Sequence, residues 1–481
     1  VKYETVIGLE IHAQLATASK MFCGCSTKFG AEPNTNICPV CTGQPGTLPV
    51  ANKKAIELAI KTALALNCTI EPSSVFARKN YFYPDLPKDY QISQYELPLA
   101  TKGYIDIEVD GVTKRIGITR VHLEEDAGKL NHQGAGRIMG ANSSLVDYNR
   151  TGTPLMEIVS EPDLRSPREA AVYTETLANL LRYLEVCDAK MEEGSLRCDA
   201  NISLRPVGQK EFGTKTEVKN INSFKAIEKA LIAEEKRHAD VLDEGGKIIQ
   251  ETRFFNDETE ETAGMRSKEE AHDYRYFPEP DLVPIAPAKE WVETIRQSIG
   301  ELPAERKNRY LSQLQLTPEM AEFLVNDKPL ADFFEAAVKI HNRPAAIANW
   351  LTGDITAYLK EQKKTIGELP HSPEQLAELQ KAIDDGTISG KIAKTILAEM
   401  LKSGKPVKEI IAASGLTQIS NESELIAVIQ EIIKNNPKQV EQFKSGKEAV
   451  MMFFVGQVMK ATKGRGNPEL VNKLLRQELS A

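Results

Sequence analysis

The chain has 481 residues, with 60 Lys and Arg against 68 Asp and Glu, a formal net charge of −8, and 41% apolar and 27% charged side chains. Those proportions exclude collagen-like, disordered and disulfide-scaffold classes, and at roughly 150 residues per domain the length implies about three domains. No apolar run approaches the ~18 residues of a membrane span, and the N-terminal stretch has neither the basic start nor the apolar core of a signal peptide, so the expected location is the cytoplasm, without a membrane partner. An acidic balance also argues, at first sight, against a nucleic-acid partner.

In chain order, Thr5 to Leu15 alternates: Ile7, Leu9, Ile11, Ala13 and Leu15 point one way and Glu10, His12 and Gln14 the other, which predicts a half-buried strand. A loop rich in Cys, Gly, Pro and Asn follows, then a helix from about Asn52 to Asn67 with Ile56, Ala59, Ile60, Ala63 and Leu66 at helical spacing. Tyr104–Val109 and Val112–Leu123 flank Asp110-Gly111, a pair suited to a type I′ hairpin turn because both residues tolerate positive φ. Ser166-Pro-Arg-Glu169 reads as a capping box with Pro at the first helical position, opening a helix to about Val186. Ser223 opens another, ending before Gly245-Gly246.

After Pro303 the texture is helical: Leu330–Ile340, Ala345–Lys360, a helix from Ser372-Pro373 to Gly386, and Ile392–Leu401 stopping at Gly404. Gly404-Lys405-Pro406 reads as a hinge, and short helices broken at Gly415, Pro437 and Gly464 follow it. The expected class is therefore α+β: a mixed α/β domain over 1–292, an all-α helical domain over 293–404 and a small helical tail over 405–481.

Of seven cysteines, Cys23, Cys25, Cys38 and Cys41 fall within 19 residues, whereas Cys68, Cys187 and Cys198 are scattered. Two short knuckles, Cys-Gly-Cys and Cys-Pro-Val-Cys, can close a tetrahedral zinc site, structural because four sulfurs leave no position for substrate. Inert or redox-active thiols are the alternative. Carboxylates cluster beside tight turns: Glu124 and Glu125 end the hairpin strand and would face opposite sides, Glu157 follows Asn149-Arg-Thr-Gly-Thr-Pro154, and Asp199 follows Gly194-Ser195-Leu196-Arg197. Hard oxygen donors with basic neighbours suit Mg²⁺ holding phosphate oxygens, against the alternative of a solvated acidic surface. Arg78-Lys79-Asn80-Tyr81-Phe82-Tyr83-Pro84 and Asp273-Tyr-Arg-Tyr-Phe-Pro-Glu-Pro-Asp281 set cations beside aromatics, which could bind phosphate and stack a base or could be core with a solvated edge. There is no phosphate-binding Gly-x-x-x-x-Gly-Lys-Ser/Thr loop, no Gly-x-Ser-x-Gly elbow and no Cys and His nucleophile pattern, so covalent hydrolase chemistry would belong to another protein.

Six stretches, Glu4–His12, Lys79–Asp85, Val121–Gly128, Asn149–Leu155, Met191–Asn201 and Asp273–Pro280, resemble the B subunits of the bacterial aspartyl/glutamyl-tRNA amidotransferases. The likeness runs the length of the chain, through Phe454–Lys460 and Gly466–Pro468; Val1 stands where the family has Met, as an alternative start codon read literally would give. The cysteines fit the zinc-containing branch of that family; other members lack them. The resemblance implies a cradle domain, a helical domain and a tail, and a carbon–nitrogen ligase that uses glutamine as amido donor in protein biosynthesis. In it, ATP phosphorylates the side-chain carboxylate of Glu-tRNA(Gln) or Asp-tRNA(Asn), and ammonia from an amidase-type A subunit displaces the phosphate, while a small C subunit braces this heterotrimer. An aminoacyl-tRNA synthetase is a further candidate partner.

On that resemblance, Glu10, His12, Glu124 and Glu125, with Glu157 and Asp199, would hold Mg²⁺. Lys79 and Arg197 would face phosphate oxygens, Tyr81 would contact ATP, and Asn80 or Ser195 would orient the aminoacyl end. From residue 405 on there are 11 Lys and Arg against 8 acids, a net +3 that leaves −11 for the rest, and Lys460, Lys463 and Arg465 gather at one turn. They are the expected tRNA contacts. A non-catalytic tRNA-binding scaffold with structural metals is the alternative, and a stand-alone zinc-containing ATP ligase a third reading.

Overall fold

The computed structural model describes residues 2–133, 142–265, 274–415, 419 and 422–480; Asp273, which opens the second aromatic stretch, lies outside them. The chain divides into two compact units, Val1–Leu302 and Pro303–Ala481.

The first unit contains β1 (Tyr3–Gln14), α1 (Lys53–Ala65), β2 (Thr69–Ile70), β3 (Ala77–Asn80), β4 (Tyr90–Ser93), β5 (Ala100–Val109), β6 (Val112–Glu125), β7 (Lys129–Gln133), β8 (Ser143–Asp147), β9 (Pro154–Ser160), α2 (Pro167–Tyr183), β10 (Leu196–Pro206), β11 (Thr216–Ile221), α3 (Phe224–Asp243), β12 (Glu251–Asn256), β13 (Glu261–Gly264), β14 (Phe277–Pro278) and α4 (Lys289–Gln297). Its main sheet runs β13-β12-β11-β10-β1-β9-β6-β5-β2, and a small sheet runs β14-β3-β4. Every pairing in the main sheet is antiparallel except β11 with β12, which α3 connects. The period-2 pattern of β1 sets one face: Ile7, Leu9, Ile11 and Ala13 are buried in a core shared with Ile56, Ile60, Tyr173, Leu177, Ile227 and Leu231 from α1, α2 and α3. Burying aliphatic side chains on this face supplies the main driving force, and the register that does so turns Glu10, His12 and Gln14 to the other face.

Local signals explain where the elements begin and turn. The Asn52 side chain accepts from Lys54 N and Ala55 N at the start of α1, and Ser223 accepts from Ala226 N at the start of α3. Ser166 accepts from Glu169 N, but the Glu169 carboxylate reaches back to Arg165 N at 2.7 Å, one residue before the cap that a strict capping box would satisfy. The hairpin turn has φ of 51° at Asp110 and 77° at Gly111, both left-handed as a type I′ turn requires.

The second unit is helical: α5 (Pro303–Ser312), α6 (Pro318–Val325), α7 (Lys328–Ile340), α8 (Pro344–Trp350), a π-helical turn (Leu351–Ile355), α9 (Thr356–Gln362), a 3₁₀ turn (Ile366–Glu368), α10 (Pro373–Asp384), α11 (Gly390–Ser403), α12 (Val407–Ser414), α13 (Glu422–Asn435), α14 (Pro437–Lys444), α15 (Val450–Ala461) and α16 (Pro468–Ser480). Gly404 ends α11 in the left-handed conformation. Beyond it α12 packs on α10 and α11. A separate small core joins Leu425, Ile429, Phe454, Val458, Val471 and Leu475 from α13, α15 and α16. Among the described residues no helix is long and apolar enough to cross a membrane.

Candidate active site

The polar face of the main sheet is assembled by register. His12 of β1 lies opposite Arg197 of β10 on one side and Glu157 of β9 on the other, and Glu157 is in turn opposite His122 of β6. Glu10 lies opposite Asp199. The result is a continuous row of ionisable side chains across four neighbouring strands. His122 Nε2 is 3.0 Å and His12 Nε2 3.5 Å from Glu157 Oε2, and each is 3.8 Å from a Glu124 oxygen.

Burial opposes ionisation of Glu157, but His122 and then His12 outweigh it and hold the carboxyl well below its usual range. The same attraction overcomes the burial of His122, which is raised to about 9, and that of His12, which is also raised. Glu10 moves the opposite way, raised first by burial and then by repulsion from Glu157, Glu217 and Asp199.

Two sets of donors bring their ligand atoms within 4.8 Å of one another on this face, His12 with Glu124 and Glu157, and Glu10 with Asp199 and Glu217. The second set is all oxygen, as Mg²⁺ favours, and crowding of three carboxylates is what a divalent cation relieves; the first adds one imidazole, which Mg²⁺ or Mn²⁺ accepts alongside carboxylate and water. Lys219 already neutralises part of the second set, with Nζ 2.6 Å from Asp199 and 3.1 Å from Glu217. Lys79 of β3 lies 4.7 Å over the Tyr274 ring, and its ammonium is favoured by Glu124 more than by Tyr276, Tyr274 and Glu157, though burial works against it. Such a face, carboxylates for cations flanked by lysine and arginine, is chemically fit to handle phosphate.

The structure distributes the remaining candidates differently. Glu125 points away from both donor sets, as adjacent strand residues must: its carboxylate pairs with Lys88 and accepts from Ile92 N at 3.0 Å, beside a cavity of about 120 Å³ that Lys20, Cys41 and Gly152 also line. Arg197 donates to Asp126 at 3.0 Å, and Gln14 donates to the other Asp126 oxygen at 2.8 Å. The Ser195 hydroxyl donates to Asp188 and accepts from Lys190 N at 3.0 Å, within the turn that leads into β10. Asn80 donates to the carbonyls of Tyr274 and Arg275 at 3.0 and 2.9 Å, tying the two aromatic stretches together. The Tyr81 ring lies 5.9 Å from Tyr83 and 6.4 Å from Tyr274. In the second unit Lys460 and Lys463 are exposed, and Arg465 donates to Gly415 O at 3.3 Å.

The four clustered cysteines converge, with their sulfurs within 4.8 Å of one another. That spacing accommodates a tetrahedral Zn²⁺ with bonds of about 2.3 Å. Cys38 N donates to Cys41 Sγ at 3.2 Å, as the second knuckle requires. A hydrogen bond from Cys23, then the Cys38 backbone N–H and after it the nearby Lys20 ammonium, hold the Cys41 thiol at about 4 against burial. Cys68, Cys187 and Cys198 are buried apart from this cluster, and burial pushes their thiols up.

Sequence reasoning missed His122, Glu217, Lys219, Lys88, Asp126 and Lys20. His122 was within reach, because it shares a strand face with Glu124 at period 2. Glu217 and Lys219 were not, since only the pairing of β10 with β11 brings them beside Asp199.

Residues 5–293 match the family model described as the GatB/GatE catalytic domain, and residues 332–479 match the one described as the GatB domain. Along its whole length the chain is similar to proteins named as the B subunit of aspartyl/glutamyl-tRNA(Asn/Gln) amidotransferase. That of Carboxydothermus hydrogenoformans is 56% identical over 479 residues, covering 100% of this chain and 99% of the relative. That of Geotalea daltonii is 53% identical over 479 residues, covering 100% of both. The chain belongs to the GatB family of tRNA-dependent amidotransferase subunits.

Proposed function

We propose that this chain carries the ATP-dependent amidation of Glu-tRNA(Gln), Asp-tRNA(Asn) or both, as the B subunit of a cytoplasmic heterotrimer with an amidase-type A subunit and a small C subunit. The observation that carries the reading is the full-length similarity to relatives bearing the amidotransferase name. The polar sheet face supports it, because a carboxylate becomes a useful electrophile only after phosphorylation. Its oxygen attacks the γ-phosphorus of ATP with departure of ADP; ammonia then attacks the acyl carbon, phosphate leaves, and nitrogen gives up a proton.

Mg²⁺, held by His12, Glu124 and Glu157 and by Glu10, Asp199 and Glu217, supplies neutralisation of phosphate charge. Lys79 orients phosphate oxygens, and Arg197 does so from its tether on Asp126. Tyr81 and its aromatic neighbours contact the nucleotide, while Asn80 and Ser195 set the loops that receive the aminoacyl end. Glu125, on the other face of β6 and paired with Lys88, supports the end of that strand rather than holding Mg²⁺. Zn²⁺ on the four cysteines pins the loop between β1 and α1. Lys460, Lys463 and Arg465 of the tail contact tRNA phosphates, and the functional divisions follow 1–292, 293–404 and 405–481.

Reconstitution of the trimer with each mischarged tRNA tests the reading. Formation of Gln-tRNA or Asn-tRNA that requires ATP and Mg²⁺ is expected, together with phosphate release on mischarged but not uncharged tRNA. The Glu125→Ala complex should lose amidation and keep glutamine hydrolysis. A complex that binds tRNA without any ATP-dependent phosphate release would establish the scaffold alternative instead.

A further inference from the structure

Lys20 precedes the first cysteine knuckle and is only 1% exposed. An ammonium taken out of water costs several kcal/mol unless an anion and hydrogen-bond acceptors receive it. Among the described residues its Nζ donates to Cys41 Sγ at 3.4 Å and Tyr148 O at 3.2 Å, and neither is a carboxylate. The backbone of the same residue is fixed as well: Lys20 N donates to Cys25 O at 3.0 Å, and Lys20 O accepts from Asn52 Nδ2 at 3.2 Å. Lys20 thus holds the first knuckle through its main chain and the second through its side chain. Room for the stem comes from Gly152, where an added Cβ would sit 3.4 Å from Lys20 Cδ and 3.6 Å from Cys41 Cβ.

Four thiolates around a divalent cation leave a net charge of about −2, here with Cys41 buried and the other three cysteines half-buried. Hydrogen bonds to ligand sulfur and nearby positive charge reduce that burden and orient the ligand. We propose that Lys20 is the charge-compensating partner of the four-cysteine metal site, its ammonium donating to the Cys41 sulfur and locking both knuckles onto the Tyr148–Gly152 turn. The inference rests on the reading that these cysteines hold Zn²⁺, and it assigns to Lys20 a positioning role toward that metal.

The test uses the full trimer. Zinc content of the wild-type complex checks the underlying reading by itself: no zinc would overturn that reading and this inference with it. Given bound zinc, a chelator titration of Lys20→Met, which keeps length but removes the charge and the donor, should show Zn²⁺ held about 10–100-fold more weakly than wild type. Lys20→Arg should stay near wild type, with Lys20→Gln between the two. After replacement by Co²⁺, the sulfur-to-cobalt charge-transfer band of the folded variants should move to lower energy in the order Arg, Gln, Met, because a thiolate without its donor is more electron-rich. Should the methionine variant fail to fold, the Arg and Gln variants still decide the matter. Equal chelator midpoints and unshifted cobalt bands in the variants that fold would overturn the assignment.

Discussion

The two kinds of donor set in the first unit are built in opposite ways. The four thiolates come from 19 consecutive residues, whereas the histidines and carboxylates come from β1, β6, β9, β10 and β11 and span residues 10 to 217. A thiolate loop draws its ligands from its own turns and needs only a few outside anchors, here Lys20 and the Tyr148–Gly152 turn, so binding the metal and folding the loop are closely linked. The sheet face works differently, because strands about 4.8 Å apart hold side chains of neighbouring strands at ligand-sharing distance before any ion arrives. Soft donors therefore sit where the chain is irregular, and hard donors sit where a rigid framework can tolerate uncompensated charge.

The strongest way to break this contrast is Glu157→Gln, which keeps the shape of the central carboxylate and removes its charge from between His12 and His122. ATP-dependent amidation should fall by on the order of 100-fold or more, while glutamine hydrolysis and zinc content stay at wild-type values. Near-normal amidation would show that the row is structural.

A third buried set of charges is built without any metal. Glu234 of α3 is fully buried and receives Arg237, Arg253, His238 and Thr262, which join α3 to β11, β12 and β13. Burial opposes its ionisation, but hydrogen bonds from His238, Arg237 and Thr262 hold its carboxyl at about 2. Because the folded value lies below the ordinary one near 4.5, its contribution is complete above about pH 4.5 and is lost as pH falls through 2. Denaturation monitored across that window should cost the wild type about 3 kcal/mol more than Glu234→Gln. Parallel acid profiles would mean that the network contributes little.

A smaller effect is expected in the tail. Replacing Lys460 and Lys463 together with Ala should weaken aminoacyl-tRNA binding several-fold at moderate salt and flatten the dependence of log K on log salt by about 1–2 units, read by filter binding. The smallest effect expected is a deliberate near-zero. Stripping zinc with a chelator should leave Mn²⁺ affinity of the sheet face, followed by electron paramagnetic resonance, within about twofold. Joint loss of both metals would refute their separate construction.

Local chemistry was well represented in the linear pattern. The alternation of β1, the Asp110-Gly111 turn and the helix starts at Asn52, Ser166 and Ser223 all describe interactions completed within a few residues, and each is found in the fold, although the return bond of the Ser166 capping box goes to Arg165 N. The convergence of the cysteines was legible for the same reason. The polar direction of Glu10 and His12 also followed, because an aliphatic face must be buried and strand periodicity then leaves the alternate residues on the other side. The different surroundings of Glu124 and Glu125 follow from that same period, although their separate partners do not.

By itself, then, the sequence determined the first strand, the hairpin and the main helices, the faces they bury, the thiolate loop and the family pattern, since each depends on short-range sterics or on runs of residue types. Tertiary structure alone decided that Glu157 stands between two histidines, that Glu217 and Lys219 meet Asp199, and that the Lys20 ammonium meets the Cys41 sulfur rather than a carboxylate. Those pairings depend on strand order and register across more than a hundred residues of chain. A spacing rule written along the sequence contains no term for them, whereas a sheet closed over a shared core does.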